Sequence, residues 1–208
     1  MPRRFILPKL VVATHNRGKA GEIRTMLGRF GIEIVSAADL GLPSPEETGT
    51  TFADNATLKA LAATRASGLA ALADDSGLSV KALDGAPGVY TADWEGPTRD
   101  AMVGMQRIQD ELAQRHVADT DAARAATFNC VLALAWPDEH IELAEGTVDG
   151  RIVWPPRGTG GHGYDPCFQP FGQKGGNTRT TAEMTDAEKN AISHRGRAFA
   201  KLVEQCFR

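Results

Sequence analysis

The stretch LADDSGLSVKALDGAPGVY, residues 72–90, places two adjacent acids, Asp74 and Asp75, directly after the apolar run at residues 69–73. This run predicts a buried strand. Side chains alternate along a strand, so two neighbouring carboxylates cannot both leave a continuing strand by the same face. We therefore expect the strand to end at the acids, where Gly77 would allow a turn because glycine tolerates a positive φ.

Two interpretations of this stretch stay open on its residues alone. A pair of acids at a strand end is typical of a divalent-metal site, or of a metal beside a general base. Asp, Ser and Gly are also ordinary turn residues, so Asp74 to Gly77 would equally fit a solvated turn.

The segments around this stretch alternate between apolar strands and amphipathic helices. Strands are predicted over residues 9–14, 32–36, 125–136 and 139–148, the last two as an antiparallel hairpin joined at Pro137 and Asp138. Helices are predicted over residues 19–30, 51–67, 98–115 and from residue 185 onward. The pattern predicts an α/β fold whose hairpin belongs to a second lobe.

Residue types at the helix ends support these boundaries. Gly31 and Gly68 follow the first two helices, as terminal glycines do. Thr51 with Asp54, and Thr185 with Glu188, have the spacing of a capping box. Residues 173–179 are predicted to form an exposed, mobile insertion.

Charged side chains concentrate in the polar loops and at the start of the last helix. The cationic candidates are Lys19, Lys189, His194 and Arg195, and the anionic ones are Glu46, Glu47, Asp74 and Asp75. The loop before the first helix follows a strand, which is where open α/β folds bind anions, although a plain connection fits it as well. Residues 158–163 match G-x-G-x-x-G, but no helix follows, which excludes a dinucleotide-binding loop.

Composition excludes several classes of partner. A net charge of −3 over 208 residues argues against a broad nucleic-acid or membrane surface. No apolar run approaches the roughly 20 residues that a membrane span needs. The three cysteines are far apart, which excludes a thiol-rich zinc site or a disulfide framework and favours a reducing compartment. We expect a cytoplasmic protein without nucleic-acid or membrane partners.

Five segments, spread from residue 13 to residue 196, occur together in a known order. They are ATHNRGK, EETGTTFADNA, ADDSGLSVKALDGAPGVYTA, GTGGHGYDP and AEKNAISHRG. In this combination the chain resembles the non-standard purine nucleoside triphosphate pyrophosphatases, the ITP/XTP/dITP diphosphatases. The resemblance implies Mg²⁺-dependent hydrolysis of these triphosphates to the monophosphate and pyrophosphate, which cleanses the nucleotide pool.

The resemblance also implies an architecture. It predicts an elongated mixed sheet with flanking helices, and two lobes around a central nucleotide cleft. Residues 1–208 would form a single catalytic domain of two lobes. The enzyme would act as a homodimer on a small-molecule nucleotide substrate.

The same resemblance assigns roles to individual positions. Asp75 would be a metal ligand and the catalytic base for water, Glu46 a second metal ligand, and Glu47 and Asp74 further candidates. The residues expected to hold the triphosphate are Thr14, His15, Asn16, Arg17, Gly18 and Lys19, and Ser76 would touch the substrate. Those expected around the base are His162, Gly163, Tyr164, Asp165, Lys189, His194 and Arg195.

Two positions depart from the family pattern. His162 stands where a phenylalanine is usual, which affects base stacking, and Asp54 stands where a glutamate is usual, so a metal role there would need a water bridge. Two other functions remain open: a pyrophosphatase of another modified nucleotide class, and a non-catalytic nucleotide-binding module.

Overall fold

The computed structural model describes residues 2–15 and 17–208; within the first helix, the side chains of residues 17–19 and 22 fall outside this description. Six strands form one mixed sheet in the order β2-β1-β3-β4-β5-β6. The strands are β1 Lys9–Val12, β2 Glu33–Ser36, β3 Ala71–Val80, β4 Ala125–Ala135, β5 Ile141–Ile152 and β6 Phe168–Pro170. The helices are α1 Arg17–Leu27, α2 Phe52–Ser67, α3 Ala101–Gln114, α4 Asp186–Ile192 and α5 His194–Cys206.

Strand directions make the sheet mixed, as the sequence predicted. Strand β1 is parallel to both β2 and β3, whereas β6 is antiparallel to β5. Strands β4 and β5 form the predicted hairpin, closed by a hydrogen bond from the Trp136 amide to the His140 carbonyl. The mixed α/β fold is therefore confirmed, and β5 runs four residues beyond its predicted end at residue 148.

The predicted turn at Asp74 to Gly77 is wrong, because β3 continues through both acids to Val80. Pairing with β1 stops at Leu72, opposite Val12, but the eleven-residue strand β4 borders β3 on its other side. Leu78 and Val80 are fully buried, so the second half of the strand has apolar side chains that hold it in the core. The two acids therefore project from a continuous strand.

Helix ends follow the predicted chemistry. The Thr51 hydroxyl accepts from the Asp54 amide and the Asp54 carboxylate accepts from the Thr51 amide, so the capping box of α2 is confirmed. Gly68 ends α2 and Gly31 ends the 3₁₀ turn Gly28–Phe30, both in the left-handed conformation, so α1 itself stops at Leu27, three residues before its predicted end. Helix α3 begins at Ala101 rather than residue 98, because Asp100 is its N-cap.

The single last helix that the sequence predicted is wrong. Thr185 does begin α4 with a capping box, but Ser193 is extended, with φ −64° and ψ 144°. The Ser193 hydroxyl accepts from the Gly196 amide, 2.9 Å away, and so caps a second helix, α5. His194 and Arg195 therefore lie in the first turn of α5, whereas Lys189 belongs to α4.

Two compact units divide the chain, and each is discontinuous. The first unit comprises Met1–Asp75, Val131–Glu145 and Ala198–Arg208, and the second comprises Ser76–Cys130 and Gly146–Arg197. Small residues such as Ala56, Ala60 and Ala133 pack in the first unit, and larger ones such as Ile108, Tyr164 and Phe168 fill the second. Within the described part of the chain, no helix is long and apolar enough to cross a membrane.

Candidate active site

Asp75 of β3 is paired with Lys59 of α2 inside the first unit. The Lys59 ammonium donates to Asp75 Oδ1 at 2.8 Å and to Glu47 Oε1 at 3.0 Å. Only 13% of the Lys59 side chain and 10% of the Asp75 side chain are exposed, whereas Glu47 lies closer to solvent. The result is a buried ammonium held between two carboxylates.

The loop that carries Glu47 is tied to the first turn of α2. The Gly49 amide donates to the side-chain oxygen of Asn55 at 2.8 Å, and Asn55 is itself buried. A Cβ on Gly49 would collide with Asn55 and Asp54, so only glycine permits this approach. The capping box and this contact together fix the loop beside Lys59.

Burial and charge act against each other on this pair. Burial raises the pKa of Asp75 above its ordinary value, although the positive charge of Lys59 opposes the rise. Burial also acts to lower the pKa of Lys59, but Asp75 and Glu47 outweigh it, so this pKa is raised. Lys59 therefore stays charged and favours the ionised form of Asp75, with a smaller contribution from the Asn55 side chain.

The second oxygen of Asp75, Oδ2, is buried and has no hydrogen-bond partner among the described residues. A buried, unpaired carboxylate oxygen is costly. Asp75 as a whole is 7% exposed. An oxygen of this kind is available to a proton, a water molecule or a metal ion.

The other predicted acids lie near this pair in sequence but in different surroundings. Glu46 is exposed on the loop, next to Glu47, and Asp74 is buried on β3. The Asp54 carboxylate accepts from the Thr51 amide in the helix cap described above. Of the predicted metal ligands, the structure brings together Asp75 and Glu47, through Lys59.

The predicted triphosphate loop falls partly outside the description. Asn16 is not described, nor are the side chains of Arg17, Gly18 and Lys19, although these three residues begin α1. Thr14 is half-buried, and His15 is exposed with its Nε2 2.8 Å from the Leu42 carbonyl oxygen. A cavity of about 270 Å³ lies here, lined by Thr14, His15, Ala20, Arg24, Ser36, Ala38 and Asp39.

A second polar cluster, in the second unit, centres on Asp165. This carboxylate is 3% exposed and accepts from three donors: the Lys189 ammonium, the Thr181 hydroxyl at 2.7 Å and the His162 amide at 2.6 Å. Gly161 has φ +74°, and a Cβ there would collide with the Asp165 carboxylate. The glycine-rich loop therefore wraps closely around the buried acid.

His194 stacks on Phe128 beside this acid. The two rings are 5.0 Å apart at an interplanar angle of 17°. A small pocket is lined there by Phe128, Val148, Asp165, Thr181, Lys189, Ile192, Ser193 and His194. The structure thus brings together Asp165, Lys189 and His194, three of the residues expected around the base.

The remaining predicted residues of the second unit differ in exposure. His162 and Gly163 are exposed, and Ser76 and Arg195 are half-buried. Tyr164 is 2% exposed and its hydroxyl donates to the Thr91 carbonyl at 2.8 Å. Burial raises the pKa of Tyr164 well above its ordinary range. Its ring is therefore part of the hydrophobic core.

Sequence reasoning missed Lys59, Asn55, Phe128 and Thr181. Asn55 and Lys59 are four residues apart, so they share one face of α2 with its buried alanines. Two polar residues on a face of small apolar ones are a signal that could have identified them. Phe128 carried no such signal, because an aromatic residue in an apolar strand is typical of a core.

Comparisons with known proteins agree on one family. The Ham1 family profile matches residues 10–205. A dITP/XTP pyrophosphatase of Bradyrhizobium diazoefficiens is 52% identical over 98% of this chain and 97% of its own length. A second, from Agrobacterium fabrum, is 52% identical over 95% of both chains.

Solved structures show the same relationship. A HAM1 protein from Coxiella burnetii superposes with a TM-score of 0.86 at 37% identity, over 95% of this chain and 98% of that one. A nucleoside-triphosphatase described as a dITP/XTP pyrophosphatase, from Mycobacterium abscessus, has a TM-score of 0.77 at 40% identity, over 94% and 98%. The resemblance that the five sequence segments indicated is confirmed, and the chain belongs to the Ham1 family.

Proposed function

We propose that this chain hydrolyses non-standard purine nucleoside triphosphates, such as ITP, dITP and XTP, to the monophosphate and pyrophosphate. The substrate class is supported by the relatives that carry the name dITP/XTP pyrophosphatase and match nearly the whole chain. The observation that carries the chemistry is Asp75, whose Oδ1 is held by Lys59 while its buried Oδ2 has no partner among the described residues. An oxygen of this kind can act as a general base and accept a proton from the attacking water.

The family relationship favours a divalent metal, and we propose Mg²⁺. Carboxylate oxygens from Asp75 and Glu47 fit this ion, and Glu46 and Asp74 remain further proposed ligands. No three His, Cys, Asp or Glu side chains gather into a metal cage within residues 2–15 and 17–208. Water and phosphate oxygens would therefore complete the coordination, as is usual for Mg²⁺. When bound, the ion supplies positive charge to the phosphate oxygens.

The roles of the chain's own residues follow from their surroundings. Asp75 Oδ2 takes a proton from a water molecule, whose oxygen attacks the α-phosphorus. The bond from that phosphorus to the bridging oxygen breaks, and pyrophosphate leaves with the bond electrons. Before a metal ion binds, the positive charge of Lys59 favours the ionised form of Asp75 against the burial that raises its pKa. The residues proposed to hold the triphosphate are Thr14, His15, Asn16, Arg17, Gly18 and Lys19, at the start of α1.

We assign recognition of the base to the cluster around Asp165. Asp165 fixes the Lys189 ammonium, and His194 is held against Phe128. A purine with a 6-keto group offers an acceptor to donors in such a cluster, whereas the 6-amino group of adenine leaves a buried donor unpaired. This mismatch can be worth about 10⁴-fold in discrimination. Ser76, His162, Gly163 and Arg195 complete the proposed substrate-binding set, whereas the ring of Tyr164 lies in the core.

Pyrophosphate release across a nucleotide panel tests the proposal. We expect turnover of ITP, dITP and XTP, little turnover of ATP and dUTP, and loss of activity when a chelator removes the metal. GTP shares the 6-keto group but adds a 2-amino group, so its rate tests how that group is excluded.

Two results would favour the other functions. Preferred turnover of dUTP would indicate a pyrophosphatase of another nucleotide class. Tight retention of ITP without pyrophosphate release would indicate a non-catalytic binding module. The homodimer is likewise a proposal, and light scattering of the purified chain at several concentrations tests it.

A further inference from the structure

Lys59 occupies a position that suits a cation bridging two acids. Its ammonium lies 2.8 Å from Asp75 Oδ1 and 3.0 Å from Glu47 Oε1. The Lys59 and Asp75 side chains are 13% and 10% exposed, so bulk water screens the pair weakly. In the absence of any other cation, this single positive charge offsets part of the negative charge that the two carboxylates share.

A metal ion bound at these acids meets Lys59 at close range. Were the ion to bind only Asp75 Oδ2 while Lys59 kept Oδ1, one buried carboxylate would hold two cations within about 4–6 Å of each other. Mg²⁺ binds its oxygen ligands at about 2.0–2.1 Å, which is shorter than the distances between the Lys59 ammonium and these carboxylate oxygens. The repulsion is relieved when the flexible lysine side chain leaves.

We propose that Lys59 is the resident counter-ion of the metal site, and that a divalent cation binds by displacing its ammonium from Asp75 and Glu47. This inference rests on the proposed function, because it takes Asp75 and Glu47 as metal ligands. It goes further in stating that the metal and Lys59 bind the same carboxylates in exchange. The affinity for metal is then set in part by how strongly Lys59 is held.

Metal titration of the full chain without nucleotide tests the exchange. The metal-stripped protein is titrated with Mn²⁺ by calorimetry at a fixed pH near neutrality. Lys59→Met keeps the length of the side chain and removes its charge, so the Mn²⁺ dissociation constant should fall by about 10–100-fold. The matched control is Lys9→Met, which removes a lysine from an exposed pair with Glu33 and should leave the constant unchanged.

Two failures can be told apart. Asp75→Asn should abolish the wild-type Mn²⁺ signal, and an unchanged signal would contradict the metal site of the proposed function itself. If the wild type binds Mn²⁺ normally and Lys59→Met has an equal or higher dissociation constant, the exchange is overturned. The metal site of the proposed function would then still stand.

Lysine labelling of the wild-type chain gives a second measurement that needs no variant to fold. Reductive methylation is followed at each lysine by mass spectrometry, with and without Mg²⁺. Lys59 should be protected in the metal-free protein and should react several times faster once Mg²⁺ is added, while Lys9 reacts at one rate throughout. Equal or slower labelling of Lys59 with Mg²⁺ would show that its ammonium stays on the carboxylates.

Discussion

At the scale of single residues, the two oxygens of Asp75 have different surroundings. Oδ1 is paired with Lys59, and Oδ2 is buried without a partner among the described residues. A carboxylate with one fixed and one available oxygen is oriented before any ligand arrives. Orientation of this kind favours a role in catalysis over a purely structural one.

Asp75→Asn tests this role with little change in volume. Loss of the charge removes the proposed base and metal ligand, so kcat for ITP should fall by about 10²–10⁴-fold. Far-UV circular dichroism should match the wild type, because β3 keeps its buried apolar residues on both sides of the position. Turnover near the wild-type rate would contradict the assignment.

The sequence predicted the roles of some individual residues of the candidate site and not of others. Asp75 was predicted as a functional residue through the resemblance of its segment to the pyrophosphatase family, because the two acids alone left a solvated turn equally open. Lys59 was not, because a lysine in a helix usually extends into solvent, whereas this one is held between Glu47 and Asp75. Tyr164 was expected at the base, but Gly104 lets its ring pack closely against α3 in the core.

Among the elements, the glycine-rich loop is positioned by its contact with Asp165. Gly161 and Gly175 both have a positive φ, +74° and +68°, so alanine at either adds similar backbone strain. A Cβ on Gly161 would also press on the Asp165 carboxylate, whereas one on Gly175 has open space. A comparison of alanine at these two positions therefore separates the effect of backbone strain from the effect of contact with Asp165.

We expect Gly161→Ala to raise KM for ITP, because Asp165 is displaced, while Gly175→Ala leaves KM unchanged. The strain itself should cost each variant about 1–2 kcal/mol of stability. Steady-state kinetics and thermal melts of both variants provide the measurements. Equal KM values would show that the loop does not position the base site.

Helix α4 contains a capping carboxylate that gives stability a pH dependence. Glu188 accepts from Arg179 at 2.8 Å and from the Thr185 amide at 2.9 Å, and these bonds lower its pKa from 4.5 to about 2. A depressed pKa contributes stability above the unfolded value, and this contribution is lost as the pH falls from about 4.5 towards 2.

Glu188→Gln should therefore lower Tm at neutral pH by a few degrees at most, because the group is exposed and salt screens it. The difference from the wild type should shrink as the pH falls below about 4.5. Melts at low ionic strength across this range provide the check. A difference that stays constant down to pH 2 would mean that charge does not contribute.

The ends of helices and strands were predicted correctly where neighbouring residues determine them. They were missed where pairing with a distant part of the chain determines them. The capping boxes at Thr51 and Thr185 depend on residues three apart, and both are present. The continuation of β3 depends on β4, a strand about fifty residues later. Ser193 separates α4 from α5 because its hydroxyl accepts from the Gly196 amide. The apolar periodicity of α5 made this local signal easy to overlook.

At the scale of the whole molecule, each unit is assembled from separate stretches of chain. Ala198–Arg208 completes the unit that carries Asp75, and its buried residues are Ala198, Phe199, Leu202, Val203 and Cys206. The spacing of Phe199, Leu202, Val203 and Cys206 in the sequence is typical of one buried helix face. This spacing could not predict which unit the helix would join, because the residues against which it packs lie far away in the sequence.

A chain that ends at Arg197 should lose cooperative folding of the first unit. Burial of Phe199, Leu202 and Val203 contributes roughly 5–9 kcal/mol, as much as the net stability of many domains. We expect aggregation or a broad, early melt, whereas removal of the exposed Arg208 alone should leave Tm unchanged. A sharp melt of the shortened chain near the wild-type Tm would contradict this view of the unit.

The discontinuity of the first unit also has a consequence for biosynthesis. Asp75 leaves the ribosome long before Cys206, the last residue that its unit buries. At ordinary translation rates the delay is on the order of 10 s. The nascent segment with the proposed metal ligands waits through that interval for the last part of its unit, and chaperones can bind it during this time.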